Sequence, residues 1–462
     1  MICRFVYEKK ISSKSQLIFK ETQGGSKINE DSYRYTITKL LENACNTLET
    51  IQFDGLDTQF FNQVIEICPN IRRFFFSSFS KELILYNVEG RGRGLLSLQK
   101  LKDLRIYTTK NVSNQSVESI LRHAVNLEHL MIGHCDANVL SVLLKHRRQH
   151  DNKNLRRIFI NPENACFITD YDKHRRPRRF YRETIDVQLC ENVTAELLLP
   201  LLDDMMDHIK GFALTVTPGG GEDYLQDWSC FANFRSPNIR YMSIGFTPAT
   251  ENIFASVIRN CPSLEMIEFH HGSKPTSIIY EALQSLPTLR SFVINNDKTC
   301  NTVANSVNSR DLFNFFTHYA SLGDQSTLDE IRLYHIDDLD LVTLLEMAEI
   351  ETLKEIGLCD INTPHDLPLD HPIQALRNLP LLERVVIEMG YREVTDVGIQ
   401  QLDCKIIELS SLEYITTEGL SNLIKNSSKL KVLRISNCGN NNIRMDIIQT
   451  LAEDKNINFS SW

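Results

Sequence analysis

Two glycine-rich stretches are the first candidates for chemistry, because glycine lets a backbone approach a phosphate closely. Residues 218–223 read Pro-Gly-Gly-Gly-Glu-Asp, and residues 91–94 read Arg-Gly-Arg-Gly. The first stretch opens with proline, lacks a following Lys-Ser/Thr pair and ends in acidic residues that would repel phosphate. The second lacks the strand-then-helix context of a nucleotide-binding fingerprint. We expect both to be surface loops, and the sequence predicts no cofactor.

Histidines and cysteines are the next candidates, for metal binding or nucleophilic catalysis. His270 and His271 stand together with no carboxylate or thiol at ligand spacing, and His365 and His371 lie in a proline-rich segment; we expect a loop or surface role for each. There is no CxxC pair and no Gly-x-Ser-x-Gly elbow. The sequence therefore favours a protein that is not an enzyme and binds no metal. A catalytic site assembled from distant parts of the chain stays open.

Composition narrows the class of protein and of partner. The chain is 42% hydrophobic and 24% charged, as in ordinary folded domains. It has neither a signal peptide nor an apolar run long enough to cross a membrane, so we expect no membrane partner and a cytoplasmic or nuclear location. Twelve cysteines are then expected to be mostly free thiols. The net charge of −9 argues against generic nucleic-acid binding.

One basic block runs against this acidic balance. Residues 145–182 contain twelve Lys/Arg and four Asp/Glu, so the rest of the chain carries a net charge of −17. The block is interpreted as a solvated loop, as a docking patch for an acidic partner, or as a nuclear-localisation or nucleic-acid contact. The residues assigned to the docking patch are Arg147, Arg148, Arg175, Arg176, Arg178 and Arg179.

A repeated apolar pattern, LxxLxL, sets the fold. The copies start 22 to 30 residues apart, except for one spacing of 39, and a period of about 20–29 residues is the leucine-rich-repeat signature. Positions 4 and 6 of each copy alternate with 3 and 5, so they point to one face of a short strand that only stacking can bury. The copies begin at Leu48, Ile71, Leu101, Leu127, Leu155, Ile209, Ile239, Leu264, Leu289, Leu328, Leu353, Leu382 and Leu430, with weaker ones at Arg182 and Cys404 and a fragment at 457–459.

Between the strands the periodicity becomes helical. Residues 416–424 and 395–402 each begin with a hydroxyl N-cap and continue with apolar residues on one face, and 113–121 and 251–258 are looser copies. The sequence thus predicts an α/β leucine-rich-repeat solenoid of about fifteen repeats. This horseshoe has parallel strands on its concave face and helices on its convex face. The 39-residue spacing holds either a degenerate repeat or, as we favour, a loop before a normal helix at 312–319.

Cysteines fall at two repeat positions. Cys45, Cys68 and Cys261 lie three residues before position 1, and Cys135, Cys190 and Cys438 lie three residues after position 6. A small, weakly polar thiol fits a stacked interior, so we expect buried free thiols. With the Cys-Pro copies at 68–69 and 261–262 and the Thr-Asp-x-Gly turn at 395–398, this pattern resembles the cysteine-containing leucine-rich-repeat family of F-box substrate receptors and antagonist-of-mitotic-exit-type proteins.

The resemblance covers about residues 36–462, which we assign to the repeat domain. An F-box in this family is a helical segment before the repeats that usually opens with Leu-Pro. Residues 1–35 contain no Leu-Pro and show strand-like pieces at 3–7 and 17–19, so they form an N-terminal extension or a degenerate first repeat. The box is therefore missing, diverged or lost through a truncated start.

Strand parity predicts a recognition surface. Positions 3, 5 and 7 would face the concave side, where the first repeats offer aromatic, Met and Arg side chains, the types enriched in interface cores. The alternative is that these side chains merely cover one another. The predicted strip contains Arg73, Phe75, Arg105, Tyr107, His129, Met131, Arg157 and Phe159. The later repeats are more mixed, with Tyr241, Met266, His270, Arg332, Tyr334, Glu355, Arg384, Glu388 and Glu408.

These expectations imply a protein-interaction module. The resemblance implies substrate recognition for an F-box-type ubiquitin ligase, with a Skp-type adaptor and cullin as partners if a box lies upstream. The alternatives are a stand-alone scaffold without ligase adaptor and, less well matched in repeat length, an enzyme regulator.

Overall fold

The structure is a computed structural model of the 462-residue chain. It describes residues 4–6, 15–20, 35, 38–39, 41–43, 46–53, 63–64, 66–78, 98–108, 114–133, 141–146, 157–161, 184–188, 198–200, 202–203, 210–215, 229–270, 273–296, 307–363, 369–388, 394–439 and 443–461. These residues belong to two compact units: unit 1 holds Met1–Leu214 and Gly219–Cys230, and unit 2 holds Thr215–Pro218 and Phe231–Trp462.

Unit 1 contains a run of parallel strands. Strand β1 pairs with β2 in antiparallel orientation, and each strand from β2 to β7 pairs in parallel with the next. A described helix, α1 (Asn114–His123), precedes β6. The strands are β1 (Arg4–Val6), β2 (Ser15–Lys20), β3 (Leu48–Phe53), β4 (Arg73–Ser78), β5 (Asp103–Thr108), β6 (His129–Gly133), β7 (Arg157–Asn161), β8 (Thr184–Gln188) and β9 (Gly211–Thr215).

Unit 2 alternates strands and helices along the chain, and every strand from β10 to β17 pairs in parallel with its successor. The strands are β10 (Tyr241–Gly245), β11 (Met266–His270), β12 (Ser291–Asn295), β13 (Glu330–Ile336), β14 (Glu355–Ile361), β15 (Arg384–Glu388), β16 (Ile406–Ser410), β17 (Val432–Ser436) and β18 (Asn458–Ser461). The helices are α2 (Glu251–Arg259), α3 (Ser277–Gln284), α4 (Ser309–Ser321), α5 (Leu341–Met347), α6 (Asp370–Ala375), α7 (Asp396–Ile399), α8 (Thr417–Asn426) and α9 (Met445–Asp454).

The core of unit 2 lies between the strands and the helices, which pack one against the next in chain order. Side chains at positions 4 and 6 fill it, as the alternation predicts: Phe292 and Ile294 of β12 are fully buried. The ring of Phe292 lies 4.7 Å from that of Phe315 on α4, centroid to centroid. Positions 3, 5 and 7 therefore point to the other side of the sheet, which we call the helix-distal face. The predicted α/β class with a parallel sheet is confirmed; the number of repeats and the horseshoe shape stay predictions.

Neighbouring repeats are joined where the chain enters each strand. The threonine before position 1 donates its hydroxyl to the carbonyl of the preceding repeat's position 1. The hydroxyl of Thr288 lies 2.8 Å from the carbonyl oxygen of Leu264. The corresponding distances are 2.7 Å from Thr327 to Leu289 and 2.7 Å from Thr352 to Leu328.

The residue after position 7 takes a left-handed backbone conformation in four repeats of unit 2. Asn and Asp tolerate positive φ better than most residues, and two of the four are of these types. The four are His335 (φ 54°), Asp360 (φ 49°), Ser411 (φ 57°) and Asn437 (φ 50°). In each repeat this residue marks the C-terminal end of the strand: Ser411 and Asn437 directly follow β16 and β17, and His335 and Asp360 are the penultimate residues of β13 and β14.

The 39-residue spacing contains a regular helix. Helix α4 covers residues 309–321, which includes the predicted 312–319, and the side chain of Asn308 caps it by accepting from the backbone N–H groups of Arg310 and Asp311. The predicted preceding loop lies outside the described residues, apart from its last two positions.

Candidate interaction surface

In unit 1, too, positions 4 and 6 are buried, as at Leu104 and Ile106, so positions 3, 5 and 7 share the opposite face of the sheet, for which we keep the name helix-distal face. This face brings the predicted strip together in rows. The pairing register aligns Arg73, Asp103, His129 and Arg157 at position 3 of successive strands. It aligns Phe75, Arg105, Met131 and Phe159 at position 5, and sets Tyr107 opposite Ser77, one row along. Adjacent strands lie about 4.8 Å apart, which places side chains of one row within contact distance of their lateral neighbours.

Arg105 is the best-defined member of this strip. Its guanidinium carbon lies 4.7 Å from the centre of the Phe75 ring, a cation–π contact across adjacent strands. Its Nε and Nη2 atoms each donate to the carboxylate of Asp103 at 3.1 Å. The side chain still keeps 39% of its surface exposed, whereas that of Asp103 keeps 11%. Asp103 thus fixes a half-exposed arginine over an aromatic ring.

The other predicted residues differ in accessibility. Arg73 is exposed, His129 is half-buried, and Met131 is 8% exposed. The side chains of Tyr107, Arg157 and Phe159 lie outside the described residues. So do the six arginines of the basic patch, both glycine-rich stretches, His271 and His365, and the side chain of His270.

The helix-distal face of unit 2 carries polar side chains at positions 3, 5 and 7. Tyr241 on β10, which was predicted to be accessible, is only 5% exposed, and Glu268 on β11 is 6% exposed. The Glu268 carboxylate accepts from the Tyr241 hydroxyl at 2.9 Å and from the Ser243 hydroxyl at 3.2 Å. The hydroxyls satisfy the buried charge, which explains how a carboxylate is tolerated there.

An ion-pair ladder continues this face from β13 to β17. Arg332 joins Glu330 and Glu355, each at 2.6 Å, and Arg384 joins Glu355 at 2.8 Å. The Glu408 carboxylate then accepts from Arg384 at 2.9 Å and from Arg434 at 2.8 Å. We call these six residues the face ladder.

Exposure grows along the face ladder. The side chain of Arg332 is 9% exposed, that of Arg384 27% and that of Arg434 44%. Burial disfavours the charge of Arg332, but its interactions with Glu330, Tyr334 and Glu355 outweigh this effect and raise the pKa of the guanidinium. Gly357 makes room, since a Cβ there would lie 3.2 Å from Cγ of Arg332. All six charges are visible in the sequence at positions 3 and 5, but their pairing depends on the register of the strands.

A second ladder lies at position 2, where the chain enters each strand of unit 2. Arg240 pairs with Glu265 at 3.2 Å, Asp329 with both Arg290 and Lys354, and Glu383 with Lys405. We call this row the entry ladder. The repeat pattern alone did not lead us to predict this row, although the alternation of positive and negative residues at position 2 is visible in the sequence.

The cysteine predictions hold where the chain is described. Cys68, Cys261 and Cys438 are buried thiols outside any disulfide, as expected, and Cys359 and Cys404 are two more. Burial raises the pKa of Cys261 and of Cys404 to about 12. These thiols therefore stay protonated and pack as small apolar groups. Cys45, Cys135 and Cys190 lie outside the described residues.

The described residues offer neither a metal site nor a membrane-spanning helix. No group of three or more His, Cys, Asp or Glu side chains within the described ranges could hold a metal ion. No described helix is long and apolar enough to cross a membrane.

Comparisons with known proteins leave the family open. No protein-family model matches the chain, and no curated protein matches it. Among solved structures, the chain is similar to the crystal structure of the Rad7 and Elc1 complex in yeast, with 12% identity and a TM-score of 0.43 over 93% of this chain and 89% of that chain. A likeness of this degree carries no argument about this chain.

Proposed function

We propose that this chain is a protein-binding module of the leucine-rich-repeat type, which holds a protein partner on the helix-distal face of unit 1. The observation that carries the proposal is the arrangement of Arg105 over Phe75, held by Asp103. Arg and aromatic side chains dominate the binding energy of interfaces. Because Asp103 already orders the arginine, a partner that binds it loses little side-chain entropy.

The finer proposal is that the partner is a substrate of an F-box-type ubiquitin ligase. It rests on the sequence resemblance, on the Thr-Asp-x-Gly turn and on the Cys-Pro copies. On this proposal the repeats form a horseshoe whose concave side is the helix-distal face, and a Skp-type adaptor and cullin join through a box outside the repeats.

A stand-alone scaffold is the second candidate. The observation that favours it is that residues 4–6 and 15–20 are strands, and β2 pairs in parallel with β3 as a repeat strand would. Part of the segment in which a helical box is sought is thus built like the repeats. Of the two alternatives for residues 1–35, an N-terminal extension or a degenerate first repeat, this pairing favours the second.

The test combines affinity capture with a matched control. Phe75, Tyr107 and Phe159 are replaced together by alanine, and the proteins captured by the full chain are identified by mass spectrometry. We expect loss of the principal partner, because each aromatic anchor contributes roughly 1–2 kcal/mol or more to binding. The control replaces three exposed apolar residues on helices and turns, Val125, Val342 and Val397, by alanine and should leave capture unchanged.

Unchanged capture by the correctly folded triple variant would contradict the recognition surface. Recovery of cullin and its adaptor with the wild-type chain decides between the ligase role and the stand-alone scaffold, independently of the alanine result.

A further inference from the structure

The entry ladder of unit 2 alternates in sign and then stops alternating. Seven successive residues at position 2 are positive and negative in turn: Arg240, Glu265, Arg290, Asp329, Lys354, Glu383 and Lys405. The eighth is Lys431, a second consecutive lysine. Lys405 and Lys431 are like charges in adjacent repeats, and like charges in adjacent strands repel each other. In an alternating row, a negative charge would stand next to Lys405 instead.

The geometry shows why Lys431 meets no carboxylate within the described part of the row. Its backbone N–H donates to the carbonyl of Lys405 at 2.9 Å, which places the two lysines side by side. Lys405 turns its ammonium to Glu383, at 2.5 Å, on the side away from Lys431. On the other side, the register of β17 with β18 brings Ile457 into the row, and Ile457 is buried.

A further lysine stands close by in the chain. Lys429 is exposed, like Lys431, and neither makes an ion pair with a described residue. The nearby carboxylate of Asp403 accepts from the backbone N–H groups of Ser428 and Lys429 and from the hydroxyls of Ser427 and Ser428. Glu408 is shared by Arg384 and Arg434. These two acidic groups are thus already engaged.

We propose that Lys429 and Lys431 form a docking site for an acidic segment of a protein partner, whose Asp or Glu carboxylates supply the negative charge that the entry ladder lacks. Charge complementarity supports this site, because Lys431 has no acidic neighbour in the described part of the row, whereas each of the seven residues before it lies next to one of opposite charge. Lysine ammonium groups bind carboxylates as point charges, so the site favours acidic peptides without requiring one sequence. It lies at the strand-entry edge of unit 2 and is independent of the proposed surface in unit 1.

The experiment measures binding of a fluorescein-labelled hexaglutamate peptide to the full chain by fluorescence anisotropy, with hexaglutamine as the neutral probe. We expect binding of hexaglutamate alone, weakened about tenfold in the double variant Lys429→Glu/Lys431→Glu. The control, Arg259→Glu/Arg310→Glu, makes the same change in net charge at exposed helix positions and should leave the affinity within about twofold of wild type. The neutral pair Lys429→Gln/Lys431→Gln, checked by circular dichroism and thermal unfolding, should weaken binding to an intermediate degree.

Three results would overturn the proposal. One is equal affinity of the wild type and the folded Lys429/Lys431 variants. Another is an equal loss in the control, which would mean that only net charge matters. The last is tighter binding of a single-stranded oligonucleotide of equal charge with the same dependence on the two lysines, which would assign the site to nucleic acid.

Discussion

Tyr280 and Tyr319 belong to one aromatic cluster but differ in the hydrogen bonding of their hydroxyl groups. Both rings contact Phe315, with centroids 5.2 Å and 5.0 Å away, and both side chains are 2% exposed. The Tyr319 hydroxyl donates to the carbonyl of Leu283 at 3.3 Å. The Tyr280 hydroxyl is buried without a hydrogen-bond partner in the described part of the chain. Burial, and then the charges of Asp311 and Glu251, raise the pKa of Tyr280 well above its usual value.

This contrast leads to opposite expectations for two single substitutions. Tyr280→Phe removes a buried hydroxyl to which the described residues offer no partner, so it should leave the free energy of unfolding unchanged or raise it by up to about 1 kcal/mol. Tyr319→Phe removes a hydrogen bond, although the Leu283 carbonyl keeps its bond from the backbone N–H of Leu286 at 2.9 Å, so it should lower the free energy of unfolding by up to about 1 kcal/mol. Urea unfolding of the two variants checks the difference; a larger loss for Tyr280→Phe would show that its hydroxyl has a partner.

At this scale the sequence predicts the apolar interior better than the polar one. Phe292 and Ile294 are predicted to be buried because the alternation of the strand requires it. Glu268 and Arg332 lie at position 5, on the opposite face of the strand, where a charged residue suggests contact with solvent or with a partner. Both are nevertheless buried. Their hydrogen bonds come largely from neighbouring strands, and a single repeat contains no information about those partners.

At the scale of elements, the Thr-Asp-x-Gly turn links one helix start to the next. Asp396 accepts from the backbone N–H of Thr416 at 2.8 Å and from its hydroxyl at 2.6 Å. The Thr416 hydroxyl in turn accepts from the N–H groups of Glu418 and Gly419 and caps α8. Gly419 leaves the space that the carboxylate needs, since a Cβ there would overlap Oδ1 of Asp396. The same arrangement occurs one helix earlier, with Asp370, Thr395 and Gly398.

The turn predicts a non-additive pair of substitutions. Gly419→Ala should destabilise the protein by about 1–3 kcal/mol, because the new methyl group displaces the carboxylate. Asp396→Ala should cost about 1–2 kcal/mol through its lost charged hydrogen bonds. In the double variant the carboxylate is gone, and only Cβ of residue 396 stays close to the new methyl group, at 2.7 Å, so the double variant should lose less stability than the sum of the two single changes. Thermal unfolding of all three variants measures the coupling.

Gly323→Ala provides the control for this cycle. Gly323 has φ 54°, and an added methyl group there would meet no described atom within 4 Å, so only backbone strain opposes the change. The substitution should cost about 1 kcal/mol and be independent of Asp396. If the Asp396 and Gly419 effects simply add, the steric explanation of the glycine is wrong.

Sequence reasoning finds the helix starts at Thr395 and Thr416 because a hydroxyl before an amphipathic run is a local signal. It does not find the role of Asp396, since that carboxylate acts on the following repeat. The same limit applies to the threonines at 288, 327 and 352, each of which bonds to the repeat before it. Contacts between repeats depend on a stacking register that no local pattern contains.

At the scale of the whole molecule, the face ladder extends over five strands of unit 2 and crosses from buried to exposed surroundings. A charge pair in water contributes little, whereas the removal of one partner from a buried pair leaves an uncompensated charge. An ion pair at the buried end of the face ladder should therefore affect the free energy of unfolding more than one at the exposed end.

Replacement of Arg332 and of Arg434 by methionine tests this gradient. Arg332→Met should lower the free energy of unfolding by about 3–5 kcal/mol, because it leaves Glu330 in a buried site without this cation. Arg434→Met should lower it by less than about 1 kcal/mol, and added salt should abolish that difference. Chemical unfolding at low and high ionic strength measures both; equal effects of the two substitutions would contradict the gradient.

The bond between Asp396 and Thr416 has a direction, because the carboxylate serves the repeat that follows it, as Asp370 does for Thr395. Removing repeats from the C-terminal side of unit 2 would leave a carboxylate in water, where it is well solvated. Removing them from the N-terminal side would instead take away the carboxylate that holds the backbone amide and the hydroxyl of an N-cap threonine in place, as Asp396 does for Thr416. Shortened or chimaeric versions of unit 2 should therefore tolerate a new C-terminal boundary better than a new N-terminal one.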